Sequence, residues 1–421
     1  MEDNLTKYWK AIGEDLFVLR AEGLEDFRAV VGSKTSRATN LDLKADLDKD
    51  GVEKFLRLNL AGYGHASIGE MSFPTIHHRG FGWVGAWLME DDPLFVGQEV
   101  STRAVDMRKL PEGNKMCYDA PSFLKDHHTL FWNIFNELNE KNEETKGYKF
   151  DNIRWAMPGS TKVGVTYMMN ARAAMRHMER LISIPFMERC VNNFKAGVKE
   201  CSPFVFEALD KGKRAPYNRW NHLEVVKVSE KDLDFSNSIK VECLRDLNGI
   251  DIFKNNSSLP PRGPRDYLDP DFKVITPFRV KMICSVAAAR DWHRHRPVMP
   301  WQIRMVVNEE GAPFVAPWYD ISGYETDVKK SLKESFELSK GLRESEGDKF
   351  QALYSMPYGA LVEIECNGSL PDILYMLELR HGAGGANFEY SMHAKEGLKQ
   401  LCELLGKDFT SYHSLDRVLK K

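Results

Sequence analysis

Three things are scarce in this 421-residue chain: an excess of charge of one sign, paired cysteines and long apolar runs. The 58 Lys and Arg residues nearly balance the 61 Asp and Glu residues, which gives a formal net charge of -3. Proteins dedicated to coating nucleic acid usually carry a basic excess, so we expect no nucleic-acid partner. No stretch approaches the roughly 18 apolar residues of a membrane helix, and the acidic N-terminal segment does not resemble a secretion signal. We expect no membrane association and a soluble, cytoplasmic protein.

The seven cysteines are odd in number and scattered, and they include no Cys-x-x-Cys pair. This pattern argues against a disulfide framework and against a zinc knuckle. Two close histidine clusters, His77-His78 and His293-x-His295, have no carboxylate or cysteine at a ligand-like spacing. We predict no metal site.

At roughly 100–200 residues per domain, the length predicts two or three domains. A turn-rich stretch over 246–270, which contains Asn-Asn-Ser-Ser and Pro-Pro, predicts a linker between a first domain over 1–245 and a second over 271–421. Apolar periodicity predicts three helices in the first domain, over 122–146, 160–182 and 186–200. In the second domain it predicts an alternating strand-like run over 272–280 and then helices over 281–292, 326–345, 370–380 and 386–405.

The two domains repeat one design. Met157-Pro158 matches Met356-Pro357 at an offset of 199 residues, and Glu188 matches Glu389 at an offset of 201. The segments between these anchors share a helix that ends in Arg, a short loop and the start of another helix. Agreement of two independent anchors is typical of an internal repeat. We predict two diverged copies of one α+β domain, called copy one and copy two below.

A dense cluster of chemically active side chains runs from Arg290 to Arg304, where four arginines and two histidines fall within fifteen positions. Guanidinium forks match phosphate oxygens in pairs, and Trp292 and Trp301 offer faces for stacking. The cluster predicts a site for an anionic ligand. A solvated basic loop is the alternative on composition alone.

Arg294-His295-Arg296 resembles the opening of the R-H-R-x-x-S-x-N-x-x-S-x-R signature of the flavin-dependent thymidylate synthases, although the rest of that signature is absent downstream. The segment from Gln98 to Arg103 in copy one resembles the family's N-E-x-S-x-R, whereas Asp91-Asp92-Pro93 stands where R-H-R is expected. Each copy has lost the half that the other keeps.

Four further segments resemble family motifs in the family's order. Gly64 to Glu70 resembles H-x-S-x-x-E, Ile153 to Pro158 resembles A-R-x-x-L-P, and Asn170-x-Arg172 resembles N-x-R. Leu379 to Glu389 resembles L-R-x-x-x-x-A-Q-W-E and places Arg380 at the arginine that activates the pyrimidine. An alignment anchored at Glu188 places Arg180 at the matching position of copy one, whereas one anchored at Asn170 places Leu181 there.

The resemblance implies an α+β fold of two tandem thymidylate synthase-like domains, each with a small antiparallel sheet and long helices. It implies transfer of a one-carbon unit to C5 of a pyrimidine nucleotide such as dUMP, with FAD as cofactor and with NADPH and methylene-tetrahydrofolate as co-substrates. It implies pyrimidine activation by Arg380 or Arg180. The implied substrate-binding residues are Glu99, Ser101, Arg103, Arg154 and Arg294. The implied flavin-binding residues are Arg294, His295, Arg296, His65, Ser67, Asn170 and Arg172.

Sites of this family lie between subunits, so the resemblance implies a working site between the copies and a homodimer that holds four domains. In this arrangement R-H-R of copy two faces the segment from Glu99 to Arg103 of copy one. Two alternatives stay open. A C5-hydroxymethylating enzyme of the same fold is one, because Asp291 replaces the Gln that precedes R-H-R in the family. A catalytically dead scaffold that binds nucleotide or RNA is the other, because it would keep the arginines and the stacking aromatics.

Overall fold

The computed structural model describes residues 9–19, 24–35, 48–62, 66–103, 105–109, 116–141, 150–210, 223–244, 277–298, 301–345, 348–382 and 387–405. These residues form two five-stranded sheets with helices packed against them. The mixed architecture confirms the predicted α+β class.

The first sheet contains five strands: β1 Trp9–Ala11, β2 Leu16–Leu19, β3 Thr75–Phe81, β4 Val96–Glu99 and β5 Val163–Met168. Its order is β1-β2-β3-β5-β4, and every neighbouring pair is antiparallel. The helices of this half are α1 Leu24–Thr35, α2 Lys49–Leu56, α3 Trp83–Glu90, α4 Lys125–Lys141, α5 Ala171–Leu181, α6 Glu188–Cys201 and α7 Pro203–Leu209.

The second sheet contains β6 Val225–Lys227, β7 Ile239–Cys243, β8 Pro277–Ser285, β9 Trp301–Val307 and β10 Leu361–Ser369. Its order is β6-β9-β10-β8-β7, with β6 parallel to β9 and the other pairs antiparallel. The helices that follow β7 are α8 Val286–His293, α9 Glu325–Leu338, α10 Lys340–Arg343, α11 Leu370–Gly382 and α12 Phe388–Leu405.

The two sheets share one strand arrangement. The order β2-β3-β5-β4 in the first sheet corresponds to β7-β8-β10-β9 in the second, and a wholly buried helix follows β3 and β8 alike. Two isolated bridges, Met116 to Thr161 and Val315 to Ala360, also correspond, with partners that lie 199 residues apart along the chain. The described residues thus contain the same local arrangement twice.

The two halves meet backbone to backbone at the paired Met-Pro turns. The amide of Tyr358 donates to the carbonyl of Met157 at 2.9 Å, and the amide of Gly359 donates to the carbonyl of Trp155 at 2.9 Å. A Cβ atom on Gly159 would lie 2.2 Å from the carbonyl oxygen of Met356. This approach requires glycine, because any side chain would force the two turns apart.

Helices α3 and α8 pack against each other where the halves meet. Every residue of both helices is buried, which agrees with the apolar composition of α3. The ring of Trp87 on α3 stacks on that of His293 on α8, with the centroids 3.9 Å apart. The contact brings the C-terminal end of α8, where R-H-R begins, against copy one.

Two of the predicted helices are wrong over their first parts. The prediction over 160–182 covers strand β5 as well as α5, because Val163, Val165 and Tyr167 point into the core at a spacing of two residues. The prediction over 281–292 includes the end of β8, and Ser285 begins α8 by accepting a hydrogen bond from the amide of Ala288 at 3.1 Å. The other five predicted helices are confirmed within the described residues by α4, α6, α9 with α10, α11 and α12.

The predicted boundary of the first domain at residue 245 is wrong. Strands β6 and β7 precede that residue, yet they pair with β9 and β8 of the second sheet. Residues 225–243 therefore belong to the second half. The predicted linker over 246–270 lies outside the described residues.

None of the described helices is both long enough and apolar enough to cross a lipid bilayer. The part of the chain that the structure describes contains no group of three or more His, Cys, Asp or Glu side chains placed to hold a metal ion.

Candidate active site

Charged side chains from both copies meet where α8 packs on copy one. We call this set the junction cluster and define it by its arginines and the acids that they contact. Its members are Arg103, Arg154, Arg290, Arg294, Arg296, Arg380, Glu90, Glu99, Asp151 and Asp291. Copy one contributes Arg103, Arg154 and three of the acids, and copy two contributes the rest.

Asp291 lies at the centre of the junction cluster on the last turn of α8. One carboxylate oxygen accepts from Arg154 Nη2 at 3.0 Å and the other accepts from Arg294 Nη2 at 2.8 Å. Burial alone would raise the pKa of Asp291, but the charges of Arg154, Arg294 and Arg380 outweigh it and hold that pKa well below its usual range. Asp291 is therefore an ionised, buried link between the two copies.

Arg380 reaches the cluster from the last turn of α11. Its Nη2 donates to the carbonyl oxygen of Asp291 at 2.6 Å, and its Nε donates to His295 Nε2 at 2.7 Å. Burial, together with the charges of Arg380 and Arg294, lowers the pKa of His295 well below its usual range. His295 is therefore neutral and accepts at Nε2, while Arg380 keeps its full positive charge.

Each of the three guanidinium nitrogens of Arg103 in copy one donates a hydrogen bond. Its Nε and Nη2 atoms bind the carboxylate of Asp151 at 2.8 and 2.9 Å, and its Nη1 donates to the hydroxyl of Tyr390 at 2.6 Å. The guanidinium groups of Arg103 and Arg380 lie 5.4 and 5.1 Å from the centroid of the Tyr390 ring. Tyr390, which is 2% exposed, is thus held between an arginine of each copy.

Glu99 and Arg290 form the second link between the copies. They are ion-paired, and each side chain is 4% exposed. Arg290 also donates to the Thr102 hydroxyl at 3.4 Å and lies over the ring of Tyr358. The structure thus brings the N-E-x-S-x-R-like segment of copy one onto α8, the helix that directly precedes R-H-R in copy two.

Glu90 is the one charged residue of the otherwise apolar helix α3, and its carboxylate lies 3.8 Å from Arg296 Nη2. Burial raises the pKa of Glu90 to about 7, with a contribution from the neighbouring charge of Glu99, although Arg296, Arg294 and Arg290 act in the opposite direction. This carboxyl group therefore changes its charge near neutral pH, inside a cluster of arginines.

Glu90→Gln should become more stable than the wild type as the pH rises. Because the pKa of Glu90 is raised from 4.5 to about 7, the folded protein holds a proton that the unfolded chain releases between these values. The wild type therefore loses stability as the pH rises through this window, and the variant does not. We expect the difference in the free energy of unfolding to shift by about 3 kcal/mol between pH 4.5 and pH 8. Urea unfolding at both pH values measures it, and a difference that does not change with pH would contradict the prediction.

Several donors of the junction cluster have no partner. Among the described residues, the buried Nε–H groups of Arg154, Arg290, Arg294 and Arg296 make no hydrogen bond. Six guanidinium groups face four carboxyl groups, so the cluster carries a formal excess of two positive charges even when Glu90 is ionised. Buried donors and excess charge together are the features of a site for an anionic ligand.

Other predicted site residues lie outside the junction cluster. Asn170 is the N-cap of α5 and accepts from the amide of Ala173 at 2.9 Å, and Arg172 pairs with Glu70 at 2.6 Å. Ser67 is exposed on the short helix that contains Glu70, and Ser101 is half-buried beside Thr102. His65 lies outside the described residues.

In the alignment anchored at Glu188, Arg180 of copy one matches Arg380 of copy two. Its Nη2 atom binds Asp92 at 2.8 Å, and Asp92 stands where copy two has His295. Its own Nε–H group is also buried without a partner. Asp92 is buried and pairs with Arg180, and Asp91, its neighbour in the chain, is buried as well. The structure thus separates two arginines that the sequence left as alternatives.

Sequence reasoning missed Asp151 and Tyr390, and it noticed Asp291 only as a departure from the family pattern. Asp151 lies three residues before Arg154, the spacing of neighbours on one helical turn, and the two side chains lie 3.7 Å apart. Tyr390 follows directly after Glu389, the last residue of the motif that contains Arg380. No signal in the sequence connects Tyr390 with Arg103, because 287 residues separate them.

No family model matches the chain, and a search of curated proteins found no relative. Among solved structures, the UMP/dUMP methylase PolB from Streptomyces cacaoi bound with 5-Br dUMP is 16% identical, with a TM-score of 0.32 over 44% of this chain and 89% of that chain. The same protein bound with 5-Br UMP is 15% identical, with a TM-score of 0.32 over 46% and 92% of the two chains. Thymidylate Synthase X from Helicobacter pylori with FAD and dUMP is 16% identical, with a TM-score of 0.33 over 44% and 95%.

Proposed function

We propose that the chain is a two-copy relative of the flavin-dependent thymidylate synthases that transfers a one-carbon unit to C5 of a pyrimidine nucleotide. The observation that carries the proposal is the junction cluster. Copy one keeps the N-E-x-S-x-R-like half of the motif and copy two keeps R-H-R, and Glu99 of the first half pairs with Arg290 on the helix that leads into the second. The complementary halves thus meet in one place, as a composite site requires.

The repeated strand order supports the tandem form of this proposal. A duplicated domain predicts the same order of strands and helices in both halves, and the described residues contain β2-β3-β5-β4 and its counterpart β7-β8-β10-β9. The paired bridges at an offset of 199 residues agree with the offset of the Met-Pro anchors.

The junction cluster fits the phosphate oxygens or carbonyl oxygens of FAD. The unpartnered Nε–H groups of Arg294 and Arg296 supply donors for anionic oxygen, with neutral His295 beside them. When bound, FAD supplies the hydride and the carriage of the one-carbon unit. The protein's contribution is orientation and charge.

We assign activation of the pyrimidine ring to Arg380. C5 of uracil becomes nucleophilic only when negative charge develops on the ring, and a fixed cation in a partly buried site stabilises that charge. Arg380 is held by two hydrogen bonds, to His295 and to the Asp291 carbonyl. Because His295 is neutral, it does not cancel the positive charge of Arg380. Arg180 is assigned no step, because Asp92 already neutralises it.

The nucleotide phosphate is assigned to Arg294, with Arg154 and Glu99 behind it. Arg294 reaches solvent, with 32% of its side chain exposed. All three guanidinium nitrogens of Arg103 already donate to Asp151 or Tyr390, so we assign it to the placement of these two residues. Ser101, beside Thr102, completes the copy-one wall of the site.

We further propose a homodimer. Asn170 and Arg172 bind other groups of copy one, Ser67 is exposed on the short helix that contains Glu70, and Arg294 belongs to the junction cluster. If all of these residues bind the same flavin, a second chain must bring the two sets together. His65 belongs to the first set by its position in the motif.

Product analysis tests the proposed function. The purified full chain is incubated with FAD, NADPH, methylene-tetrahydrofolate and dUMP, and the pyrimidine products are resolved by mass spectrometry. We expect dTMP. A hydroxymethylated product would support modification at C5 and would correct only the proposed product. Unaltered dUMP and no flavin binding would overturn the proposal.

Arg296→Ala should weaken FAD binding at least about tenfold, which corresponds to roughly 1.4 kcal/mol. The change removes a guanidinium whose buried Nε–H group is free to donate to the flavin. Arg304→Ala is the matched control, because Arg304 is equally shielded but binds Glu224, Glu363 and Glu365 on the second sheet. FAD fluorescence titration measures both variants. Equal flavin affinity of Arg296→Ala and the wild type would remove R-H-R from the flavin site.

A further inference from the structure

Tyr390 lies between one arginine of each copy, in the first turn of α12. Its hydroxyl accepts a hydrogen bond from Arg103 Nη1 of copy one at 2.6 Å. The guanidinium of Arg380 in copy two lies 5.1 Å from the centroid of its ring. The side chain is 2% exposed, so water does not compete with either contact. The three side chains therefore form a continuous buried contact from one copy to the other.

Arg103 can orient Tyr390 because Arg103 is itself held by Asp151. The Asp151 carboxylate accepts from Arg103 Nε at 2.8 Å and from Nη2 at 2.9 Å. Such a two-pronged contact fixes the orientation of the planar guanidinium, which leaves Nη1 directed at the Tyr390 hydroxyl. The carboxylate also offsets the charge of Arg103, so Arg103 and Arg380 approach the same ring without two unpaired cations repelling each other.

The ring of Tyr390 adds a third contact to the two hydrogen bonds of Arg380. Those hydrogen bonds run from Nε to His295 and from Nη2 to the carbonyl oxygen of Asp291. An aromatic ring attracts a buried guanidinium and restrains its position. Burial lowers the pKa of Arg380, whereas Asp291 and Tyr390 act in the opposite direction and favour the charged form.

Copy one carries a different residue at the place of Tyr390. In the alignment anchored at Glu188, Arg189 matches Tyr390. The guanidinium of Arg189 lies 4.1 Å from the centroid of the Tyr118 ring, and its Nη2 lies 3.6 Å from a carboxylate oxygen of Asp15. The residue after the anchor glutamate thus contacts the motif arginine in copy two, whereas in copy one it contacts Tyr118 and Asp15.

We propose that Tyr390 is a positioning residue for Arg380, and that copy one holds Tyr390 in place through Asp151 and Arg103. Asp151 fixes Arg103, Arg103 fixes the hydroxyl of Tyr390, and the ring of Tyr390 restrains the guanidinium of Arg380. The reaction that Arg380 serves rests on the proposed function, whereas its placement rests on these contacts alone. Arg380 therefore depends on side chains of both copies.

Tyr390→Phe tests the proposal, because it keeps the ring and removes the hydroxyl. Without that acceptor the ring loses its anchor in copy one, and Arg380 should sample more orientations. We expect the single-turnover rate at saturating dUMP and FAD to fall about tenfold, while the dissociation constant of dUMP stays within about twofold. General damage to the fold would weaken dUMP binding as well, so the split between rate and affinity identifies positioning.

Two double variants test the order of the contacts. In the Arg380→Lys background, Tyr390→Phe should change the rate by less than about twofold, because its effect passes through Arg380. Arg103→Lys keeps the charge but cannot bind Asp151 and Tyr390 together, so it should lower the rate about as much as Tyr390→Phe. The two changes combined should be no worse than either alone. Losses that multiply in the Arg380→Lys background would overturn the proposal.

Tyr354→Phe is the matched control, because Tyr354 is also a buried tyrosine of copy two whose hydroxyl binds copy one. It donates to Asp119 and accepts from the amide of Gly85 at 3.2 Å. Gly85 lies in the N-terminal half of α3, whereas the junction cluster lies at the other end of that helix. The control should keep the wild-type rate within about twofold, although it also loses a buried hydrogen bond. An equal fall in the rate of both tyrosine variants would indicate a general loosening between the copies and overturn the proposal.

A measurement without ligand separates this inference from the proposed function. Burial lowers the pKa of His295, and Arg380 lowers it further through its charge and by donating to Nε2. A loosened Arg380 should therefore let His295 take up a proton more readily. Histidine carbon-13 NMR, with the His295 signal assigned from His295→Gln, should show this residue neutral down to about pH 5 in the wild type and in Tyr354→Phe. In Tyr390→Phe it should become partly protonated above that pH.

The two kinds of readout have separate consequences. A wild type that is inactive on dUMP would refute the proposed function, and the titration of His295 would still report the placement of Arg380. A titration of His295 that is the same in Tyr390→Phe and in the wild type would overturn the positioning role.

Discussion

Arg380→Lys should lower the rate of the chemical step about 10²- to 10³-fold, with little change in dUMP affinity. Loss of one oriented donor at a developing oxyanion has an effect of this size, and a lysine cannot bind His295 and the Asp291 carbonyl together while facing the ring. Single-turnover assays at saturating dUMP and FAD measure the rate.

Arg180→Lys is the companion variant, because it changes the corresponding arginine of copy one. Arg180 is held by Asp92 in an ion pair, so its replacement should change the single-turnover rate by less than about threefold, under 1 kcal/mol. If Arg180→Lys loses the activity and Arg380→Lys keeps it, the working site lies in copy one and the assignment of the junction cluster fails.

Arg154→Met should destabilise the folded protein by about 3–5 kcal/mol, the usual effect of removing one partner of a buried ion pair. The side chain of Arg154 is 1% exposed and that of Asp291 is 4% exposed, so the change leaves a carboxylate without its deepest counter-charge. The free energy of urea unfolding measures the loss.

The double variant Arg154→Met with Asp291→Asn tests whether the unpaired charge of Asp291 causes this loss of stability. Removal of the stranded charge should restore part of the lost stability, which a change in packing alone would not do. Arg57→Met on the surface is the control, since its ion pairs with Glu53 and Glu207 are solvent-exposed, and its urea midpoint should match that of the wild type. A midpoint for Arg154→Met equal to that of the wild type would mean that the inter-copy ion pair does not stabilise the fold.

The sequence predicted helices better than strands, and the failures have one cause. Between β5 and α5 only Met169 and Asn170 intervene, so the two-residue spacing of the strand runs directly into the helical spacing. At Ser285 the strand β8 and the helix α8 have no loop between them. A window of eleven or more residues averages the two periods and reports the longer element.

The arginines of the candidate site and Glu99 were predictable from the sequence, but the other acids were not. Arg154, Arg294 and Arg380 stand in motifs, and the structure gathers them in one cluster. Asp151 pairs with Arg103 across 48 residues and Asp291 pairs with Arg154 across 137 residues, and sequence spacing carries no record of such pairing. The same holds for Glu90, since its raised pKa arises from burial in the contact between the copies.

Under the proposed duplication, joining two equivalent halves in one chain changes which substitutions selection can tolerate. In an assembly of identical subunits, a substitution appears in every site at once, so each site residue must be kept. The junctions in this chain differ in sequence, as Arg380 beside His295 and Arg180 beside Asp92 show. One junction can then lose its ligand-binding residues without affecting the other, and the covalent link keeps the two halves together. The divergence of the two motif halves is the expected outcome of that freedom.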